Sequence, residues 1–403
     1  MRPTIDELMS SLGCSKFPER WRDIYSEASD IYENGDNPLL RPEYYDELNE
    51  KYRLFWGDML EIYKNAARLL AANESLARFF CILCRALKDR PTIQRDIAAM
   101  EIPSPKDGES SLPYDMMTAL SLCQSTPAFF DQMSSRGVPE DILYESLKIP
   151  VKCVEINLKR TSKPHLTSFD WYQHAYDGKL YRVGRLQLEF PLGMPGMYRV
   201  FESKSGEIVG LANIAVHRDG VALGSRGYED AEGSFTASIA ETDDAYEGYP
   251  FMANGHVSLE KISLSKSEWS VKLKGGDLLV GLHIPPDEPF GDDIVEEALT
   301  ESKKLLEAHY PDYAYKAFFC GSWLLDPALV DILGEDANIS KFCKRFIPFG
   351  VKSAGTSPFG YVFKKYGRDI KIEDFAEDNR LQRALKKHYL DGKAIYDMHG
   401  VFF

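Results

Sequence analysis

Near Leu180 the period of the hydrophobic pattern changes, and this divides the chain into two kinds of structure. Before it, apolar residues recur every three or four positions, the spacing of a helix face; after it they alternate, the spacing of a strand. Thr4-Ile5-Asp6-Glu7 reads as a capping box that opens a first helix. The spacing predicts further helices over Pro18–Tyr32 and Pro42–Leu70, with Tyr44, Tyr52, Phe55, Trp56 and Met59 on one aromatic stripe that serves as core or domain interface. Ser104–Pro113 reads as a flexible connection, and a later helix after Pro139 is expected to bend at Pro150, which lacks a backbone donor.

From Leu180 the run LYRVGRLQLEF reads as one strand, with Leu186, Leu188 and Phe190 on one face and Arg185, Gln187 and Glu189 on the other. Several strands follow, the last two joined at Gly275-Gly276 in what reads as a hairpin, while the acidic stretch Glu241–Pro250 reads as an exposed loop. A helix is expected from Asp292 to about His309, then a central strand through AYKAFFCGSWLL, helices over Pro327–Leu333 and Ile339–Phe346, a hairpin over Ile347–Lys365, and an amphipathic helix from Asn379 to Leu390 closed by Gly392. The pattern is that of an α+β chain: an all-helical domain over 1–138 and a mixed β-sheet domain with helices on its faces over 139–403.

Composition excludes several classes. At 403 residues the chain is long for one core, and its 44% hydrophobic and 27% charged content is that of a globular protein. The net charge of −14 argues against a nucleic-acid partner. Without an 18-residue apolar run or a signal-like start, a cytoplasmic protein with no membrane partner is expected. Seven scattered cysteines read as free thiols, and Cys81-x-x-Cys84 falls in an apolar helix with no second ligand pair, so no metal is expected. Between Lys341 and Lys393, 13 basic residues against 6 acidic ones would favour a small anionic ligand locally, or form solvated faces.

Polar side chains within apolar strands carry the chemistry, because burying them costs free energy unless they are paired. Glu189 is a candidate base or amine-binding group, and Arg185 and Gln187 are candidate substrate contacts on its face. His283 ends the LLVGLH strand and is the foremost candidate general base. Cys320 and Ser322 share a face of their strand, with Trp323 opposite; Cys320 would be a nucleophile if His283 lay beside it. The standard hydrolase elbow, the Walker loop and the zinc-protease motif are absent.

Together, LYRVGRLQLEF, the run from Trp269 to Pro285, FFCGSWLLDPAL, NISKFCKRF and NRLQRALKKHYLDGKAI resemble a bacterial family of acyltransferase-domain proteins. These have a helical N-acyltransferase amino-terminal domain and a GNAT-like carboxy-terminal domain. The resemblance implies transfer of an acyl group from acyl-CoA or acetyl-CoA, as co-substrate, to an amine acceptor. It places the strand of His283 beside that of Cys320, splayed to admit the pantetheine arm, with Glu189 or His283 as base and Ser322 or a backbone N–H at the oxyanion. Arg185, Gln187, Trp323 and Asn338 are the candidate substrate contacts. In GNAT enzymes a glycine-rich loop after that strand cradles the CoA pyrophosphate. Here the loop has one glycine, and Asp292, Asp293, Glu296 and Glu297 occupy the helix start. Lys341, Lys344 and Arg345 would then hold the phosphates. The alternative expectation is a non-catalytic protein that binds a peptide or small ligand on a GNAT-like scaffold whose pyrophosphate loop is lost.

Overall fold

The computed structural model describes residues 2–89, 96, 99–286, 290–367 and 369–403. The chain divides into two compact units, Met1–Val183 and Gly184–Phe403. That division falls well beyond the Pro139 boundary read from the sequence.

The first unit is helical up to a closing strand, β1 (Leu180–Val183). Thr4 caps Ile5–Ser11 as expected: its hydroxyl accepts from the Glu7 N–H, and its own N–H donates to the Glu7 carboxylate at 2.7 Å. The stretch read as one helix over Pro42–Leu70 is two, Pro42–Tyr52 and Met59–Ala72. Arg53 adopts a left-handed φ of 51° and ends the first of them. Likewise the helix expected to bend at Pro150 is a pair, Glu140–Leu147 and Ile149–Thr161, with Pro150 in the first turn of the second, where a missing donor costs nothing. Trp21, Tyr45, Tyr63, Phe79, Phe80 and Phe129 fill the core of this unit. Cys81 and Cys84 are both buried in it, and burial pushes the Cys81 thiol up to about 11, which makes it inert.

The strands of the second unit are β2 (Leu186–Gly193), β3 (Tyr198–Ser203), β4 (Ile208–Ala212), β5 (Ala215–Val216), β6 (Phe235–Thr236), β7 (Ala240–Glu241), β8 (Ala245–Gly248), β9 (Ile262–Ser265), β10 (Trp269–Leu273), β11 (Leu278–His283), β12 (Ala317–Ser322), β13 (Ile347–Gly350) and β14 (Met398–Phe402). The main sheet of the unit runs β2-β11-β12-β14-β13. Its β11–β12 pair is parallel, and the other pairs are antiparallel.

Four sequence expectations are corrected here. The acidic stretch from Glu241 carries the β7–β8 pair rather than a loop alone. Gly275-Gly276 does not close a hairpin: β10 pairs with β3 while β11 pairs with β2 and β12, so the turn passes the chain from one sheet to another. Ile347–Lys365 is not a hairpin either. Only β13 is a strand, paired with β14, and Pro358 then sits in the first turn of a short helix, Ser357–Tyr361. The LYRVGRLQLEF strand is broken at Gly184, where a φ of 51° turns the chain between β1 and β2.

Both faces of the main sheet are covered. On one, Tyr198, Val200 and Leu273 of the β10-β3-β4 sheet pack against Leu279, Ala317, Phe349 and Val401. On the other, the helix Asp292–His309 lies over the sheet, with Lys303 above the ring of Phe318, which stacks on Phe402 at 5.0 Å. Trp323, Leu329, Phe359, Phe375, Leu385 and Tyr389 form a separate core among the short helices that follow β12.

Candidate active site

The β11–β12 ladder is short. Leu279, Val280 and Gly281 pair with Ala317, Phe318 and Phe319, and there the register ends. Beyond it β11 stays with β2 as far as His283, while β12 stays with β14 as far as Ser322. Each strand follows its outer neighbour, so the two parallel strands part at their carboxyl ends. This is where open α/β sheets place their ligands.

The register decides which side chains meet at that opening, because paired residues share a face. Glu189 lies opposite Gly281, and Gln187 opposite His283. Gly281 in turn pairs with Phe319, and Gly321 with His399. One face of the splay therefore carries Gln187, Glu189, His283, Phe319 and His399, with bare backbone at Gly281 and Gly321. The missing side chain at Gly281 makes the arrangement possible: a Cβ there would stand 3.3 Å from a Glu189 carboxylate oxygen.

Glu189 and His283 are joined. Glu189 Oε2 is 3.0 Å from His283 Nε2, with the two side chains 16% and 35% exposed. A carboxylate only accepts, so the proton between them is carried by Nε2, and Nδ1 is the acceptor nitrogen whenever the ring is neutral. The pair is half-sheltered, oriented and placed at the mouth of the splay, which is the arrangement of a base held by a carboxylate.

Other residues named from the sequence lie elsewhere. Cys320 alternates onto the opposite face, is buried, and has its thiol pushed up to about 12 by that burial; it is not presented to His283. Ser322 lies on the same face as Cys320, and its hydroxyl accepts from the Leu324 N–H at 3.2 Å, capping the turn Trp323–Leu325. Trp323 is buried in the core after β12. Arg185 sits at the Gly184 turn rather than on the strand, buried, with its guanidinium 5.6 Å over the Phe290 ring. Gln187 remains beside Glu189 in β2 and is buried.

Two of the three groups expected to hold phosphate are paired with carboxylates. Arg345 pairs with Asp292 and Glu296 in the first turns of the Asp292–His309 helix, and Lys344 pairs with Glu335 at 3.1 Å. The acidic helix start is thus answered by an arginine of the same chain. Lys341 is exposed, and Asn338 donates to the Phe290 carbonyl at 2.8 Å, tying down the segment that enters the helix.

The residues that sequence reasoning missed on the open face are Phe319, Gly321 and His399, with Tyr198 from β3 behind them. The alternation in MHGVF, which pairs His399 with Val401 on one face, was the available signal.

A family model described as the GNAT-like C-terminal domain matches residues 180–402. The chain belongs to that family. No curated protein matches it in sequence. Among solved structures, an acyltransferase variant in complex with octanoyl-CoA is similar over 99% of both chains at 16% identity, with a TM-score of 0.59. An acyltransferase in complex with CoA and 10C-teicoplanin is similar over 98% of both chains at 16% identity, with a TM-score of 0.57. An acyltransferase in complex with decanoyl-CoA gives 17% identity over 98% of both chains and a TM-score of 0.53. At such identities the likeness is one of fold, and it extends over the helical unit as well as the GNAT-like domain. The GNAT-like domain as seen here thus has the splayed parallel pair, with a glutamate–histidine pair at its mouth and an acidic helix start after it.

Proposed function

We propose that this chain is an N-acyltransferase that moves an acyl group from a CoA-type thioester to an amine, working at the splay between β11 and β12. The observation that carries the reading is the 3.0 Å Glu189–His283 contact on the open face of that splay. Membership of the GNAT-like family supports it, as do the acyl-CoA complexes of the similar structures.

In the reaction, the thioester carbonyl lies over the bare backbone at Gly281 and Gly321. The amine nitrogen bonds to the carbonyl carbon while His283 Nδ1 takes the proton from it, and Glu189 holds the ring and offsets the charge of the imidazolium. The tetrahedral intermediate collapses, the C–S bond breaks, and the thiolate takes up the proton that His283 carries. Nothing here needs a cysteine nucleophile, which agrees with the placement of Cys320 on the far face. Gln187, next to Glu189, would contact the acceptor. With Arg345 and Lys344 paired to carboxylates, Lys341 is the remaining candidate among the three cations for a phosphate contact.

The reading is tested by thermal unfolding of the full chain with decanoyl-CoA, acetyl-CoA and free CoA. A ligand at 100 times its Kd adds about 2.7 kcal/mol to stability. Stabilisation by a CoA thioester is expected. No shift with any of the three would favour the non-catalytic alternative.

A further inference from the structure

The open face of the splay has a second histidine that no part of the reading above uses. His399 stands on β14, opposite Gly321 of β12. Its ring meets Phe319 edge-on at 5.0 Å, and its Nδ1 lies 3.4 Å from the Tyr198 hydroxyl. Tyr198 is itself fixed, stacked on Phe349 at 4.3 Å in the core between the two sheets.

These contacts decide where the imidazole proton sits. Burial pushes the Tyr198 phenol well up, so it keeps its proton, and a buried hydroxyl proton costs free energy unless it is donated to an acceptor. Among the described residues its acceptor is His399 Nδ1. Burial also holds His399 down to about 4, so the ring is neutral at pH 7. A neutral ring that accepts at Nδ1 has its hydrogen on Nε2. The Cδ2 atom, next to Nε2 in the ring, is 3.6 Å from where a Gly321 side chain would begin. Gly321 is exposed. Nε2 has no hydrogen-bond partner among the described residues and is not one of the buried unpaired atoms, so its N–H opens onto the space above Gly321.

We propose that His399 Nε2–H is the donor that stabilises the oxyanion of acyl transfer, with Tyr198 as the positioning residue that fixes its tautomer. The inference rests on the acyl-transfer reading and assigns the role that the sequence suggested for Ser322. As the amine nitrogen bonds to the carbonyl carbon, the carbonyl π pair moves onto oxygen. That oxyanion accepts from Nε2–H until the pair returns and expels the thiolate. His399 gives up no proton in this cycle. It is a fixed dipole aimed at developing charge, in a site where no reorganisation is needed at the moment of reaction. Glu189–His283 on β2 and β11, and Tyr198–His399 on β3 and β14, would then flank the substrate from two sides of the splay.

The test uses the full chain, decanoyl-CoA as donor and hydroxylamine as a small amine acceptor. His399→Ala is expected to lower kcat about 10²-fold, the usual effect of losing one such donor, with the KM for decanoyl-CoA changed less than about twofold because ground-state binding is untouched. His399→Gln, which keeps an N–H donor, is expected to recover most of the loss. Nitrogen NMR of the histidine rings, with His399→Gln identifying the resonance, should show Nε2 protonated at pH 7, and Tyr198→Phe should shift the ring towards a mixture. A wild-type chain that transfers the acyl group while His399→Ala does so undiminished, or an Nδ1-protonated ring, overturns this inference alone. A wild-type chain that neither binds decanoyl-CoA nor releases its thiol overturns the acyl-transfer reading, and this inference with it.

Discussion

Gly281 and Glu189 face each other across the β2–β11 ladder so closely that a Cβ on Gly281 would stand 3.2 Å from the Glu189 Cβ and 3.3 Å from its carboxylate oxygen. The glycine is what lets the carboxylate reach His283 within the sheet. Gly281→Ala should displace Glu189 by a few tenths of an ångström, and Gly281→Val by more. A misplacement on the order of 1 Å can cost about 10²-fold in rate. The expected outcome is a graded fall in acyl transfer from Gly to Ala to Val with the folded circular-dichroism spectrum retained. Full activity in Gly281→Val would remove Glu189 from the mechanism.

Glu189 and His283 act as one unit in this account, so their losses do not add. His283→Ala should lower kcat by about 10² to 10⁴-fold, the range of a general base. Glu189→Ala should cost less, and the double variant about as much as His283→Ala alone, because the carboxylate works only through the ring. Steady-state kinetics on the four proteins closes the cycle, and strict additivity would separate the two residues.

These two residues were legible in the sequence because each is a polar side chain in an otherwise apolar strand, a placement that requires a partner. The sequence did not reveal which face each strand shows to its neighbour. Alternation placed Cys320 and Ser322 together, but only the long-range register Gly281 to Phe319 shows that they point away from His283. Arg185 left the face because Gly184 takes a positive φ, which the alternating pattern conceals. Gly275-Gly276 was a turn, as its chemistry requires, yet the β10–β3 and β11–β2 ladders decided the pairing. His399 escaped notice because its short strand follows Gly392 and acquires its site only by pairing with β12.

Asp326 offers a pH test in the same unit. It is 4% exposed, accepts from the N–H groups of Tyr396 and Ala328, and burial raises its carboxyl from an ordinary 3.8 to about 6. A raised carboxyl favours the folded state while protonated. Its contribution is therefore fully present below about pH 4 and lost as pH rises through 6. Two units correspond to roughly 2–3 kcal/mol. Urea unfolding between pH 4 and pH 7 should show that loss in the wild type and not in Asp326→Asn. Equal pH slopes for the two proteins would remove Asp326 from the balance.

The central claim is that the splay with its Glu189–His283 pair transfers an acyl group to an amine. Amine-dependent release of CoA thiol from decanoyl-CoA, measured side by side on the wild type and His283→Ala, tests it most directly. The account predicts release in the wild type that rises with amine concentration and falls at least about 10²-fold in His283→Ala. Amine-dependent release that survives His283→Ala unchanged, or no release from the wild type, would contradict it.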